Sequence, residues 1–125
     1  MTLLHIPQGT TFRAAGRVEM GGAIVDLTGA TARFQARADT ESATALIDIA
    51  ATCAGVTGMV SIEIPPATSS AWGAMSAWGL RRDLLVDGVV RSGPSAVWAL
   101  EVTLASGETI RPDEGVLVVS REVVR

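Results

Sequence analysis

The sequence predicts an all-β fold, an antiparallel β-sandwich with one short helix. Apolar and polar residues alternate with a period of two through most segments, which places every second side chain on the same face of a strand. Turn-forming Gly, Pro, Asp and Ser residues separate these segments at intervals of about 8–12 residues, which is typical of sandwiches and barrels. The 125 residues have the size of one domain, and no linker or internal repeat divides them. We therefore expect an N-terminal arm or extended segment over residues 1–10 and a single β-sandwich domain over residues 11–125.

The alternation in the first half of the chain predicts five strands. It is clearest in Thr31 to Ala38, where apolar residues alternate with long polar ones, including two arginines that a helix would scatter around its circumference. Gly21 and Gly22 supply the positive φ angles that a tight hairpin needs. The predicted strands are Phe12 to Met20, Ala23 to Leu27, Thr31 to Ala38, Leu46 to Ala50 and Met59 to Ile64.

A short helix is predicted after these strands. Pro65 and Pro66 end the last strand, because proline cannot donate to a sheet ladder and restricts the residue before it. Thr68 or Ser69 is suited to cap the helix, and Gly79 is placed to end it. The residues at helical three- and four-residue spacings are Ala71, Trp72, Met75 and Trp78.

The second half of the chain returns to strands. Asp87 and Gly88 suit a type I′ turn between two short strands. A long core strand follows, with Trp98 on its apolar face. The predicted strands are Leu84 to Val86, Val89 to Arg91, Ala96 to Leu104, Thr109 to Arg111 and Val116 to Ser120, with a turn at Ala105 to Glu108 and an interruption at Pro112 to Gly115.

Composition indicates surface that is buried against other subunits. Apolar residues make up 48% of the chain and the mean hydropathy is +0.37, which is high for a soluble monomer. The ten arginines are spread along a chain of net charge −3, so we expect no nucleic-acid partner. The longest uncharged stretch, Ile64 to Leu80, contains prolines, serines and glycines, so we expect no membrane span. From the high apolar content we predict a homo-oligomer.

No pattern in the sequence predicts catalysis. His5 is the only histidine and lies in the expected N-terminal arm, which offers no fixed geometry for a catalytic base. Cys53 is the only cysteine, and its uncharged neighbours give no support for a thiolate. Zinc needs three or four His, Cys or carboxylate ligands, and the chain has one histidine and one cysteine. For calcium, the nearest clusters are Asp83 with Asp87 and Asp113 with Glu114, which we interpret as solvated turn residues. The thirteen acidic residues allow many carboxylate pairs, and nothing selects one. We predict no enzyme activity, no metal site and no cofactor.

Apolar residues near the predicted helix and hairpin are the candidates for an interface. Three roles are open for Trp72 and Trp78: they could bridge the two sheets, anchor a neighbouring subunit or stack on a sugar ring. Leu84 and Val89 on the hairpin, and Ile6 in the N-terminal arm, are the other candidates. Thr2 to Ile6 alternates in a way that suits pairing with a strand of a neighbour.

Several segments near the two ends of the chain share a recognisable pattern. They are Ile6 to Arg13 (IPQGTTFR), Val25 to Arg37 (VDLTGATARFQAR), Trp98 to Leu104 (WALEVTL), Ser106 to Thr109 (SGET) and Glu114 to Arg125 (EGVLVVSREVVR). They resemble small immunoglobulin-like tail and baseplate proteins of bacteriophages, in which a QGDTF strand precedes a DLTG turn and the chain closes on DLELT, SG and EGTVTVSPEVTR segments. The chain departs from this pattern at Thr10, where the family has an acidic residue, and over Leu80 to Pro94, which is an added hairpin.

The resemblance implies an immunoglobulin-like antiparallel β-sandwich with a structural role and no catalytic residues. Together with the apolar composition, it predicts a virion structural protein of the tail, baseplate or adaptor region that packs with copies of itself and with other virion structural proteins. We expect it in the phage particle, assembled in the cytoplasm of the bacterial host. Two alternatives stay open: a capsid decoration or head-completion protein, and a carbohydrate-binding host-attachment module with a glycan as ligand.

Overall fold

The protein is an all-β structure, as the alternation predicts. A computed structural model describes residues 2–121, and the last four residues of the family-like ending lie outside the described residues. The strands are β1 (Thr2–Pro7), β2 (Phe12–Arg17), β3 (Glu19–Met20), β4 (Ala23–Ile24), β5 (Thr31–Arg37), β6 (Ile47–Cys53), β7 (Met59–Ile64), β8 (Gly79–Val86), β9 (Val89–Thr103) and β10 (Thr109–Ser120). A 3-10 turn (Gly55–Thr57) and one α-helix, α1 (Pro66–Ser70), complete the described elements.

The main sheet is mixed and nearly closed. Its strands follow the order β1-β10-β9-β5-β6-β7-β2, β8 pairs with β9, and β3 pairs with β4 in a separate two-stranded hairpin. Every pairing is antiparallel except that of β1 with β10, which is parallel. The prediction of a wholly antiparallel sheet is therefore wrong at β1. This strand does not pair with β2, the next strand in the chain, but runs parallel to β10 near the other end of the chain. The two strands at the ends of the order, β1 and β2, leave a gap between them.

The N-terminal residues form part of the sheet. Leu4 lies beside Leu117 and Ile6 beside Val119, and Ile6 is completely buried in the core of its own chain. The prediction of Ile6 as an interface residue is wrong for this reason. One edge of β1 is already paired with β10, so only its other edge is open to a neighbour.

Several predicted elements have different bounds in the structure, and the predicted strands Val89 to Arg91 and Ala96 to Leu104 are parts of the single strand β9. The predicted strand from Phe12 to Met20 divides at Val18, whose N–H donates to the carbonyl of Gly58, and Met20 is exposed. The predicted interruption at Pro112 to Gly115 is a bulge within the continuous strand β10. The helix is one turn long and begins at Pro66, because proline suits the first helical position. Met75 then adopts a positive φ of 56°, so the segment carrying the two tryptophans is not helical.

Two clusters of buried side chains form the core. The larger cluster includes Phe34 and Trp98, which stack with ring centroids 5.4 Å apart. Trp98 is 7% exposed, which confirms its predicted place in the core. The smaller cluster surrounds Val18, Leu27 and Val102. These clusters fix the positions of the surfaces described below.

Candidate interaction surfaces

The most apolar exposed feature is a two-stranded ribbon, residues 79–92, formed by β8 and the start of β9. Asp87 and Gly88 form its turn with φ angles of 50° and 78°, which confirms the predicted type I′ hairpin. The register shifts between Arg81 and Leu84, and the N–H of Asp83 in this bulge bonds to Ser92 Oγ at 2.9 Å. The ribbon is longer than predicted, because pairing continues from the turn back to Gly79.

The ribbon lies against the outer face of β10 and β1. Val118 points away from the core on β10, yet it is only 1% exposed. A Cβ atom on Gly93, at the base of the ribbon, would lie 2.5 Å from the carbonyl oxygen of Val119 and 3.8 Å from Val118 Cγ2, so only glycine permits this close approach. β8 also contacts β1, and Val86 on the ribbon is 3% exposed. One side of the ribbon is thus packed against the sheet.

The other side of the ribbon is apolar and open. Among residues 2–121, seven large hydrophobic side chains are exposed, and four of them lie on the ribbon. Leu85 and Val90 are cross-strand partners that are 58% and 59% exposed. Leu80 is 64% exposed. Val89 is 47% exposed, but it is paired with the buried Val86 and so lies on the opposite face of the ribbon from Leu85 and Val90. Leu84, the other predicted interface residue on the ribbon, is half-buried.

A second surface is the gap between β1 and β2, which we call the seam. The strands meet at the turn after Pro7, and a pocket of about 180 Å³ lies between them. Core residues line its interior, and the β10 bulge lies at its rim. The lining includes Leu4, Ala14, Gly16, Phe34, Ile62 and Leu100. The facing edge of β2 has no partner strand among the described residues, so its backbone groups are open to pairing.

A third surface is a groove of about 310 Å³ on the outer face of β5, β9 and β10, where arginines and glutamates meet. Arg33 forms an ion pair with Asp48, and this hydrogen bond holds the pKa of the Asp48 carboxyl below its usual value. Arg111 lies 2.9 Å from Glu101, and Arg37 donates to the carbonyl of Ala43 at 2.6 Å. Each arginine in the groove therefore has a partner within its own chain.

Trp72 and Trp78 pack against each other and against the core. Their ring centroids lie 5.0 Å apart at an interplanar angle of 45°, and both rings are half-buried beside the larger core cluster. The structure thus brings together the two tryptophans that the sequence singled out. It separates them from Val89, which lies on the ribbon.

The residues considered above as candidates for catalysis or metal binding lie apart from one another in the described part of the chain. His5 Nε2 is hydrogen-bonded to Ser120 Oγ at 2.6 Å, and its pKa is lowered, first by burial and then by the charge of Arg91, against an opposing effect of Asp87. Burial raises the pKa of the Cys53 thiol. Within residues 2–121, no three His, Cys, Asp or Glu side chains come close enough together to hold a metal ion. His5 lies on β1, where it is paired with Val118 of β10.

Sequence reasoning missed Gln8 and Gly16. Gln8 is buried and donates hydrogen bonds to the carbonyls of Ser69 and Gly73, although a glutamine before a glycine reads as a surface turn. Gly16 lies in the middle of β2 on its core-facing side, where a Cβ atom would meet no other atom within 4 Å. A glycine inside a strand often marks a place where another backbone approaches, and this was the available signal.

Comparisons with known proteins supply no family for the chain. Neither models of protein families nor curated proteins match it. No helix in the described part of the chain has both the length and the apolar character needed to cross a membrane.

Proposed function

We propose that this chain is a non-catalytic structural subunit of a bacteriophage particle, located in the tail, baseplate or adaptor region. It acts by packing against copies of itself and against other virion structural proteins, after assembly in the cytoplasm of the bacterial host. The observation that carries this proposal is the open side of the ribbon, where Leu80, Leu85 and Val90 are each more than half exposed. Apolar side chains concentrated on one projecting element are typical of surfaces that another protein covers.

The finer fold assignment is part of the same proposal: we infer an immunoglobulin-like sandwich in a variant form. In that fold, strands A, B, E and D form one layer and strands C, F and G the other. If β2 and β7 are B and E, and β5, β9 and β10 are C, F and G, the B–E, C–F and F–G neighbours are all present. β6 pairs with both β5 and β7 and so links the two layers.

The resemblance of both ends to phage tail and baseplate proteins supports the place in the particle. Two of the segments that carry this resemblance form turns in the structure. The QGTT turn joins β1 to β2 and is hydrogen-bonded to Ser69 in α1, while DLTG forms a turn in which the N–H and the hydroxyl of Thr28 both donate to the Asp26 carboxylate. These two hydrogen bonds from Thr28, side chain first, lower the pKa of Asp26.

The test is to find the protein in purified particles. Particles from the producing bacterial strain are separated into heads and tails on a density gradient, and the chain is quantified in each fraction by mass spectrometry. We expect it in the tail fraction at a fixed number of copies per particle. Recovery only with heads that lack tails would favour the capsid decoration or head-completion alternative, and absence from all particles would overturn the proposal.

The carbohydrate-binding alternative has weaker support in the geometry. Sugar stacking needs an open aromatic face, whereas Trp72 and Trp78 place their rings against each other and against the core. We therefore propose assembly as the primary role.

A further inference from the structure

We propose that the ribbon carries a pH-sensitive latch, in which protonation of His5 releases the ribbon tip from the outer face of the sheet. The tip is the part of the ribbon beyond the bulge, residues 84–91. The latch consists of His5 on β1 together with Arg91 and Asp87 on the tip. It lies within one chain, so it does not depend on the proposed function or on which protein covers the open side of the ribbon.

His5 lies on the face of β1 that the ribbon covers. Leu4 and Ile6, on either side of it, pack with the core, so the His5 side chain projects to the outer face. There it is half-buried beside Val118, its register partner on β10, which is only 1% exposed. Val118 lies under Gly93 at the base of the ribbon, and β8 contacts β1. The His5 ring is therefore part of the contact between the sheet and the ribbon.

Arg91 approaches this contact from the ribbon. Cross-strand partners share one face of a ribbon, so Arg91 lies on the same face as its partner Leu84 and as Val86, two residues further along β8. Val86 is 3% exposed, and Arg91 is half-buried with its Nε atom completely covered. This face of the tip is therefore the one that packs on the sheet, and it brings a guanidinium group close enough to act on the His5 ring.

The docked tip leaves one polar group of the latch without a partner. Arg91 Nε is buried and has no hydrogen-bond acceptor within residues 2–121. No carboxylate of the same residues lies within 4.0 Å of the Arg91 guanidinium. A buried donor without an acceptor weakens the contact that buries it. Apolar packing therefore holds the tip against an electrostatic cost, and a second positive charge at this point favours release.

Protonation of His5 supplies that charge. His5 Nε2 lies 2.6 Å from Ser120 Oγ, and a hydroxyl oxygen accepts equally from a neutral or a protonated ring, so this bond is compatible with both states. The residues around the ring on the outer face of the sheet are uncharged: Leu3 and Pro7 on β1, and Val116, Val118 and Ser120 on β10. Burial and the charge of Arg91 lower the pKa of His5, and Asp87 opposes them. The docked tip therefore disfavours the protonated ring.

The bulge gives the tip a place to bend. The register shifts between Arg81 and Leu84, and Asp83 within the bulge adopts a positive φ of 56°. The Asp83 N–H donates to Ser92 Oγ at 2.9 Å. A bulge interrupts the ladder and bends the strand, so the tip can move while the base of the ribbon, paired from Gly79 to Arg81, stays in the sheet.

The direction of the pH effect follows from the two states of the tip. When the tip is released, His5 is open to water and has the ordinary histidine pKa of about 6.5. When the tip is docked, the pKa of His5 is lower. Docking is therefore most stable above about pH 6.5 and weakens as the pH falls towards the lowered pKa, by at most about tenfold per pH unit, because one proton is linked to release.

The test measures the exposure of single side chains by methyl NMR with a neutral, soluble paramagnetic chelate, which broadens the signals of methyl groups that water reaches. Val86 under the tip and Val102 in the core are both buried. Between pH 7.5 and pH 5.5, the broadening of the Val86 signals should rise several-fold, while Val102 stays protected. The ring signals of His5, the only histidine, report its protonation in the same samples.

Two charge variants should shift the latch in opposite directions. Arg91→Met keeps an apolar stem and removes the positive charge, so the pKa of His5 should rise and Val86 should be less exposed at pH 5.5. Asp87→Asn keeps the turn, because Asn-Gly also suits type I′, and removes the negative charge, so exposure of Val86 should increase. Arg82→Met, at an exposed position on the same ribbon, is the matched control and should leave the profile unchanged.

His5→Gln should abolish the pH dependence and keep Val86 protected at both pH values. Four outcomes would overturn the inference. Val86 that stays protected while the His5 ring titrates would show that protonation does not release the tip. Equal exposure of Val86 and Val102 at pH 5.5 would show unfolding of the whole domain. A pH dependence that persists in His5→Gln would assign it to another group, and shifts in the same direction for the two charge variants would exclude the electrostatic cause.

Discussion

Gln8 donates a hydrogen bond from its side-chain amide to the carbonyl oxygen of Ser69 at 3.1 Å, and both residues are buried. The same amide donates to the carbonyl of Gly73 at 3.0 Å, and the N–H of Gly9 donates to Ser69 Oγ at 2.8 Å. The turn between β1 and β2 is thereby fixed to α1 and to the residues that follow it. Since β1 and β2 border the seam, these bonds also fix the closed end of that gap.

Replacement of Gln8 by methionine should lower the free energy of unfolding by about 2 kcal/mol, because the buried carbonyl of Ser69 and the partly buried carbonyl of Gly73 lose their donor while the volume is kept. Chemical denaturation measures the change. Gln35→Met on the outer face of β5 is the matched control, and we expect a change within about 0.5 kcal/mol there. Equal effects of the two variants would show that the Gln8 bonds contribute little.

The contrast between Gln8 and Trp98 shows what the sequence can predict. Trp98 follows a period-two pattern within its own strand, and local periodicity was sufficient to place it in the core. Gln8 is polar and sits next to a glycine, and its burial depends on a segment more than 60 residues away. The parallel pairing of β1 with β10 was not predicted for the same reason, since a local pattern does not show a partner at the other end of the chain.

The candidate surfaces also differ in whether the sequence could predict them. Asp87 and Gly88 predict the hairpin by turn chemistry alone, and Val89 beside them begins a strand, as predicted. The seam was not predictable, because it arises from the order in which distant strands close the sheet. The bulge at Pro112 was read as a break because proline cannot donate to the ladder, whereas the register shift accommodates it.

Stability should fall as the pH drops below about 6.5, the value at which an unfolded histidine titrates. Burial and Arg91 lower the pKa of His5 in the folded protein, so the unfolded chain binds more protons in this range and folding weakens as pH falls through the lowered folded pKa. Denaturation midpoints between pH 7.5 and 5 measure this loss. His5→Gln should flatten the profile, and an unchanged profile would contradict the assignment.

Gly93→Ala should destabilise the protein by about 1–3 kcal/mol, the range seen when an added methyl group overfills a packed site. The new Cβ atom would lie 2.5 Å from the carbonyl oxygen of Val119, so the base of the ribbon must shift. Gly16→Ala is the control, because a Cβ atom meets no neighbour there, and we expect a gain of up to about 1 kcal/mol. A thermal melt that ranks the two variants in the opposite order would contradict the packing of the ribbon on β10.

Trp72→Leu should lower the free energy of unfolding by about 1–2 kcal/mol, since a ring pair contributes about 0.5–1.5 kcal/mol beyond its buried area. Trp98→Leu, in the core, should cost more than Trp72→Leu. Glycan-array binding by the wild-type protein that is lost in Trp72→Leu, without loss of stability, would instead favour the carbohydrate-binding alternative.

The mass of the purified wild-type protein in solution tests the claim of self-assembly most directly. Multi-angle light scattering over a wide range of concentrations should give a defined multiple of 12.9 kDa, or a growing series of such multiples, because the proposed packing covers the open side of the ribbon with another copy. A single mass of 12.9 kDa at every concentration would contradict the account, since the exposed apolar side of the ribbon would then have no copy of this chain to cover it.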